Sequence, residues 1–331
     1  MPEKFEEDKI SELSDDLLVQ ILLLVSTKDA VTTTVLSKRW RFIWTMMPTL
    51  EYKESKDDDE SKKSVWWFLD QSLQLHKAPV LDSLCIKLGP QCPVPVDVVK
   101  WVAKAIDRFL RTLKFELIWS ADPIRLPKSL YTCETLVKLN LSHKVLIDCP
   151  SSPACLPSLK KLYLINVVYK DEASLVRFLS SCPVLEILVV KREEHDNLTD
   201  FYVIVPSLRD LLYHDLKYIK ITNCSKYYCL IKNMPCVDSA YISVATCADD
   251  RLPRSISSVL FLRLFLSDEM LVRCSTINFS RLTELIICPD ESAWLEPLTL
   301  LLGNSPKLKK LLVDYVGIFL LFYYLLKSLH I

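Results

Sequence analysis

The residues able to do chemistry in this chain are scattered. It holds twelve cysteines, yet only Cys224, Cys229 and Cys236 lie loosely together. Structural zinc asks for tighter cysteine pairs and a fourth ligand. The five histidines, His76, His143, His195, His214 and His330, are far apart, and none has a metal-type partner nearby in sequence. Asp57, Asp58, Asp59 and Glu60 form a carboxylate run with nothing apolar around it to raise a pKa, so it reads as solvated charge rather than an acid–base pair. The only glycines are Gly89, Gly303 and Gly317, too few and too dispersed for a phosphate-cradling loop or a dinucleotide fingerprint. There is no Gly-x-Ser-x-Gly elbow and no His-Glu-x-x-His helix. No catalytic residue, metal or cofactor is therefore assigned, and the expectation is a binding protein rather than an enzyme.

Composition narrows the partner. Of 331 residues half are apolar, enough for a sizeable core, and 41 basic side chains balance 41 acidic ones. Zero net charge argues against a protein that tracks nucleic-acid phosphates, which requires a basic excess. It gives no reason to expect an anionic membrane as partner either. The first residues, MPEKFEEDKI, lack the basic and apolar regions of a signal peptide. Cysteines in apolar surroundings, such as Cys85, Cys182 and Cys288, suit a reducing compartment, and the expected location is the nucleus, the cytoplasm or both. The sequons at Asn140, Asn197, Asn223 and Asn278 are then idle.

The elements that must do the positioning begin near the start. Leu17, Leu18, Ile21, Leu22 and Val25 make one stripe of a helix, with Ser14 as its cap and Asp15 and Asp16 in its first turn. Val31, Val35, Leu36, Trp40, Ile43 and Trp44 make a second stripe, with Ser26, Thr27 and Asp29 before it and Pro48 closing it. Thr32, Thr33 and Thr34 weaken helix propensity there, so packing must hold this second helix. Some forty residues cannot easily close a core over that much Leu, Ile and Trp. The segment is either a helical cap on the downstream domain or a hook whose apolar face a partner completes.

The segment resembles an F-box, specifically that of the plant F-box/leucine-rich-repeat proteins that often end in an FBD domain. The resemblance rests on Ile10 to Leu13, Asp15 to Leu18, Ile21 and Leu22, Thr27 to Val31, Val35 to Arg41, and Trp44. Ser14 and Ser26 stand where prolines are common in the family, and Leu24 where Phe is common. The resemblance implies that Leu13, Leu17, Leu18, Ile21, Leu22, Val35, Leu36, Arg39 and Trp40 contact a Skp-type adaptor of a cullin–RING ubiquitin ligase, the SCF complex. It also implies that the rest of the chain captures an unknown protein substrate without doing bond chemistry. The alternative is a scaffold or decoy that uses its repeats but no ligase.

After residues 1–8, read as a disordered tail, and the F-box over 9–52, a charged linker is expected over 53–64. Helical periodicity resumes from Val65 to Leu75. From residue 81 an L-x-x-L-x-L unit recurs, beginning at residues 81, 110, 136, 159, 185, 208, 237, 259, 282 and 308. These steps lie in the leucine-rich-repeat range of about 20–29 residues. Pro157, Pro183, Pro206 and Pro306 each stand two residues before a unit, where proline ends the preceding segment. Helix-like runs, Glu172 to Ser181 and Leu295 to Leu302, precede two of them.

The fold class expected is α/β: helical F-box, then a leucine-rich-repeat solenoid over 65–314, with parallel strands on the concave face and helices or loops on the convex face. The fixed leucines point inward and the residues between them line the concave face. Tyr163, Leu212, Tyr241, Phe261, Arg263 and Phe265 are the substrate-contact candidates, since aromatics on an open face commonly anchor a partner. Residues 315–331 break the pattern with an apolar tail, marginal as a membrane span, and no FBD segment is recognised there. A truncated or alternatively spliced product is the preferred reading of this tail, with a tail anchor or a capping helix as the others.

Overall fold

A computed structural model describes residues 10, 12–54, 65–90, 97–118, 122–151, 154–192, 197–198, 200–215, 228–231, 236–244, 250–266, 268–289 and 294–315. Two compact units divide the chain, residues 1–121 and 122–331. The tail expected to be disordered, most of the charged linker, Cys224 and nearly all of the apolar tail fall outside the described residues, whereas Cys229 lies in the strand Tyr228–Ile231 and Cys236 is an exposed free thiol.

The first unit opens with α1, Asp15–Leu22, whose cap Ser14 accepts a 3.4 Å hydrogen bond from the Leu17 amide. Next comes α2, Thr27–Thr32, capped by Ser26, which accepts from the Asp29 amide at 3.1 Å and donates to Asp29 Oδ2 at 2.7 Å. The expected single second helix is broken. A 3₁₀ turn follows at Thr33–Val35, and helix resumes only at α3, Trp40–Ile43. The threonine run accounts for the break: Thr32 and Thr33 each turn their hydroxyl back to a carbonyl, Asp29 O and Ala30 O, at 2.6 Å. Such back-bonding competes with straight helix. Leu18, Leu22, Ala30, Trp40, Ile43, Trp44 and Met47 close into one buried cluster around which these helices pack.

The same chain then runs directly into a sheet. Strand β1, Thr49–Lys53, pairs in parallel with β2, Ser83–Leu88, which pairs with β3, Thr112–Leu117. Leu50 lies beside Leu84, and Leu84 beside Leu113. Met47, Leu50 and Tyr52 thus occupy the places of the three fixed leucines, and all three are buried. This extra copy lies inside the stretch assigned to the F-box, with Met and Tyr concealing the pattern. Helices α4, Val65–Leu75, and α5, Val98–Ile106, lie between the strands, the former where periodicity predicts it.

In the second unit eight parallel strands follow in sequence order: Lys138–His143, Lys161–Ile165, Ile187–Arg192, Asp210–Asp215, Ser239–Val244, Phe261–Leu266, Glu284–Pro289 and Lys310–Val313. Their register follows the repeat: Leu139, Leu162, Leu188, Leu211, Ala240, Leu262, Leu285 and Leu311 form one row across the sheet. All of that row except Leu311 is fully buried, and this row with its Leu141-type neighbours is the core. Helices Glu172–Ser180 and Leu295–Gly303 stand where predicted. Between strands, short segments make small sheets of their own, Ile124–Arg125 with Val145–Ile147 and Val168–Tyr169, and Asp200–Val203 with Tyr228–Ile231.

Candidate protein-docking faces

Helix α1 splits its apolar stripe in two. Leu18 and Leu22, four residues apart, enter the buried cluster, at 0 and 2 % exposure. Leu17 and Ile21, on the adjoining stripe, remain 52 and 42 % exposed. Beyond α2, Val35 and Leu36 are 86 and 64 % exposed. The hook is therefore closed inside and open outside: its core is complete, yet a run of aliphatic side chains faces solvent. Scattered surface leucines need no explanation, but several on one small module mark a contact surface.

The structure divides the expected adaptor set between core and surface. Leu18, Leu22 and Trp40 are buried in the hook's own cluster rather than on its open face. Helical spacing places them beside Leu17 and Ile21, and only packing distinguishes the two stripes. Leu13 is half-buried against the cluster. Arg39 is held within the module: its guanidinium lies 2.6 Å from Asp15 Oδ1 and also donates to the Leu13 carbonyl. That pairing fixes the start of α1 and presents the α1 face, with surface-level ion-pair energy of about 0–1 kcal/mol. Leu24, Val25, Phe42 and Met46 are exposed as well and were not among the expected contacts. The unbroken apolar run from Ile21 to Val25 is the signal for the first pair, since a short helix cannot bury every side of such a run.

The outward row of the repeats behaves differently from expectation. Tyr163, Leu212, Arg263 and Phe265 are buried, and only Tyr241 and Phe261 are half-exposed. The register explains it. Tyr163, Val189, Leu212 and Tyr241 stand side by side on neighbouring strands. At strand spacings of about 4.8 Å large side chains cover one another. Tyr163, Val189 and Leu212 form a cluster of their own with Ile165, Ile187 and Tyr241 against it. Lys138 Nζ lies 5.4 Å over the Tyr163 ring, and the Tyr241 and Phe261 rings are 5.2 Å apart. Burial pushes the Tyr163 hydroxyl up to about 12, and among the described residues its oxygen is buried without a hydrogen-bond partner. Arg263 forms a 2.5 Å pair with Asp314 and lies 5.4 Å from the Phe265 ring. These four contribute to a packed stripe rather than standing as separate anchors.

Among the described residues no group of His, Cys, Asp or Glu is arranged to hold a metal ion. Cys85, Cys133, Cys149, Cys155, Cys182, Cys236, Cys274 and Cys288 are free thiols. Burial pushes Cys182 up to about 12, which keeps it protonated and unreactive. No described helix is long and apolar enough to cross a membrane.

A helical hook with an open aliphatic face, joined to parallel-strand repeats, defines an F-box protein of the leucine-rich-repeat class. Comparison with known proteins agrees: the F-box domain profile matches residues 10–52, and the profile "FBD-associated F-box protein At5g56370, LRR repeats" matches residues 98–265. An Arabidopsis thaliana relative named "Putative FBD-associated F-box protein At1g05080" is 55 % identical over 332 residues, covering 93 % of this chain and 75 % of its own length. The Arabidopsis thaliana F-box/FBD/LRR-repeat proteins At5g56420 and At4g26340 are each 40 % identical, over 92 and 93 % of this chain and 76 and 77 % of their own lengths. The chain belongs to the plant F-box/FBD/LRR-repeat family.

Proposed function

We propose that this chain is the substrate-recognition subunit of an SCF-type cullin–RING ubiquitin ligase, working in the nucleus or cytoplasm. In this reading the hook binds the Skp-type adaptor and the repeats hold the target protein. The chain makes and breaks no bonds; its contribution is proximity, keeping a target lysine near the carrier enzyme. The observation that supports it best is the exposure of Leu17, Ile21, Val35 and Leu36 on a module whose own core is already closed. A surface of that kind lowers its free energy by roughly 25 cal/mol for each Å² of apolar area that a partner covers. The packed stripe on the repeats favours target contact at its half-exposed members, Tyr241 and Phe261, rather than at Tyr163 or Leu212.

The test is reconstitution. Proteins captured by the full chain from plant extract, with and without proteasome inhibitor, are presented to a purified ligase containing the adaptor. Ubiquitin transfer to a captured protein that depends on Leu17 and Ile21 supports the assignment. Capture without transfer identifies the chain as a scaffold instead.

A further inference from the structure

The first unit carries a further set of exposed apolar side chains, on the segments that lead into its strands. The set is built from the three loops that precede β1, β2 and β3 and from the helical segments that lead into them. These loops are hydrogen-bonded side by side. The Lys77 and Ala78 amides donate to Thr45 O at 2.8 and 2.9 Å. Arg108 donates to His76 O at 3.0 Å, and the Leu81 amide to Arg108 O at 2.9 Å. Large apolar side chains on and beside these loops face solvent: Phe42 on α3 and Met46 on the turn after it, Leu75 at the end of α4 and Val80 beyond it, and Phe109 after α5.

Phe109 is the telling residue. It follows the end of α5 with φ of 59°, a left-handed position that glycine fills without strain and a bulky side chain does not. It is also 61 % exposed, so its ring recovers little burial. An aromatic that is strained in backbone and open in side chain contributes nothing to the fold that glycine would not do better. Such outliers point to function.

We propose that this strand-start rim is a second contact for the Skp-type adaptor, with Phe109 as its aromatic anchor; the inference rests on the function proposed above. Continuity with the hook selects this occupant, and the rim's charge describes the segment it should offer. The rim is continuous with the hook through Phe42 and Met46, which belong to the α3 segment that also supplies Trp40, Ile43 and Trp44 to the hook's core. Its charge is biased positive: exposed Arg41 and Lys77, and Arg108 and Arg111, against Asp82 and Asp107. Lys77 Nζ already sits 5.5 Å over the Phe42 ring, so cation and aromatic are presented together. The complementary partner segment is acidic, with apolar side chains between its carboxylates. An adaptor docked on Leu17 and Ile21 that also reaches this rim gains affinity and a fixed orientation relative to the first repeats.

The experiment measures the affinity of the full chain for a purified plant Skp-type adaptor by biolayer interferometry. Phe109→Gly combined with Leu75→Gln is expected to weaken binding about tenfold, in line with loss of an aromatic anchor. Its melting temperature should stay level or rise, because glycine relieves the left-handed position. A dissociation constant within about twofold of the unaltered chain, beyond which anchor losses normally fall, overturns the rim contact while leaving the hook reading intact. Absence of adaptor binding by the unaltered chain overturns both. Self-association of the unaltered chain that the double variant abolishes, with adaptor affinity unchanged, assigns the rim to a second copy and likewise overturns the proposal.

Discussion

His76 makes the first unit acid-sensitive, and the size of the effect follows from its partners. The side chain is buried at the junction of the hook and the repeats. Arg108 Nη1 donates to Nδ1 at 2.8 Å. A guanidinium can only donate, so Nδ1 must be the accepting nitrogen. Nε2 therefore carries the proton and donates to Met47 O at 2.8 Å. The imidazole is held neutral, and burial first, then the Arg108 charge, lower its pKa to about 4 from the usual 6.5. Between those values the unfolded chain binds a proton that the folded chain refuses, so stability is full above 6.5 and declines as pH falls towards 4. Going from pH 7 to pH 5 this one group removes about 2 kcal/mol by linkage. Urea unfolding followed by tryptophan fluorescence reads the right region, because Trp40, Trp44, Trp66, Trp67, Trp101 and Trp119 all lie before residue 121 and only Trp294 lies beyond. The His76→Gln variant keeps one donor and one acceptor and should lose about 2 kcal/mol less than the parent on acidification. Equal losses in parent and variant refute a buried neutral His76.

Within α1, Leu18→Ala should cost about 2–5 kcal/mol while Leu17→Ala stays within about 0.5 kcal/mol, read by chemical denaturation, since only the former leaves a cavity. Ser26→Ala should cost about 1 kcal/mol and Ser14→Ala less, because the Ser14 cap bond is the longer of the two. Arg192 is buried, 2.9 Å from Asp215, and donates to Tyr213 Oη at 3.1 Å and Leu198 O at 3.0 Å. Arg192→Ala should destabilise the second unit by about 3–5 kcal/mol, measured by scanning calorimetry. Arg254→Ala, at an exposed pair with Asp250, should be close to silent in the same calorimetric scan.

The repeat was legible because its signal is redundant. A leucine row recurs ten times, buried on every strand but the last, and a single degenerate copy such as Val237, Ala240 and Ile242 still falls in register. The copy at Met47, Leu50 and Tyr52 escaped because two of its three fixed places are not aliphatic and it is continuous with helical sequence. The sites were harder to read. Periodicity shows that Leu17 and Leu18 are both on a helix but not which one packs with Trp40 and Trp44, a matter of packing between segments more than twenty residues apart. In the same way, strand alternation places Tyr163 and Leu212 on the outward face, but only the lateral register shows that they and Val189 cover one another. Phe109 carries no sequence signal, because its left-handed backbone is visible only in coordinates.

The central proposal is that the outer stripe of α1 docks a second protein, and the affinity of the full chain for a purified Skp-type adaptor tests it directly. The account predicts that Leu17→Asp with Ile21→Asp abolishes binding while urea unfolding of both units stays as in the parent, because those side chains already face water. Undiminished binding by the folded double variant contradicts it.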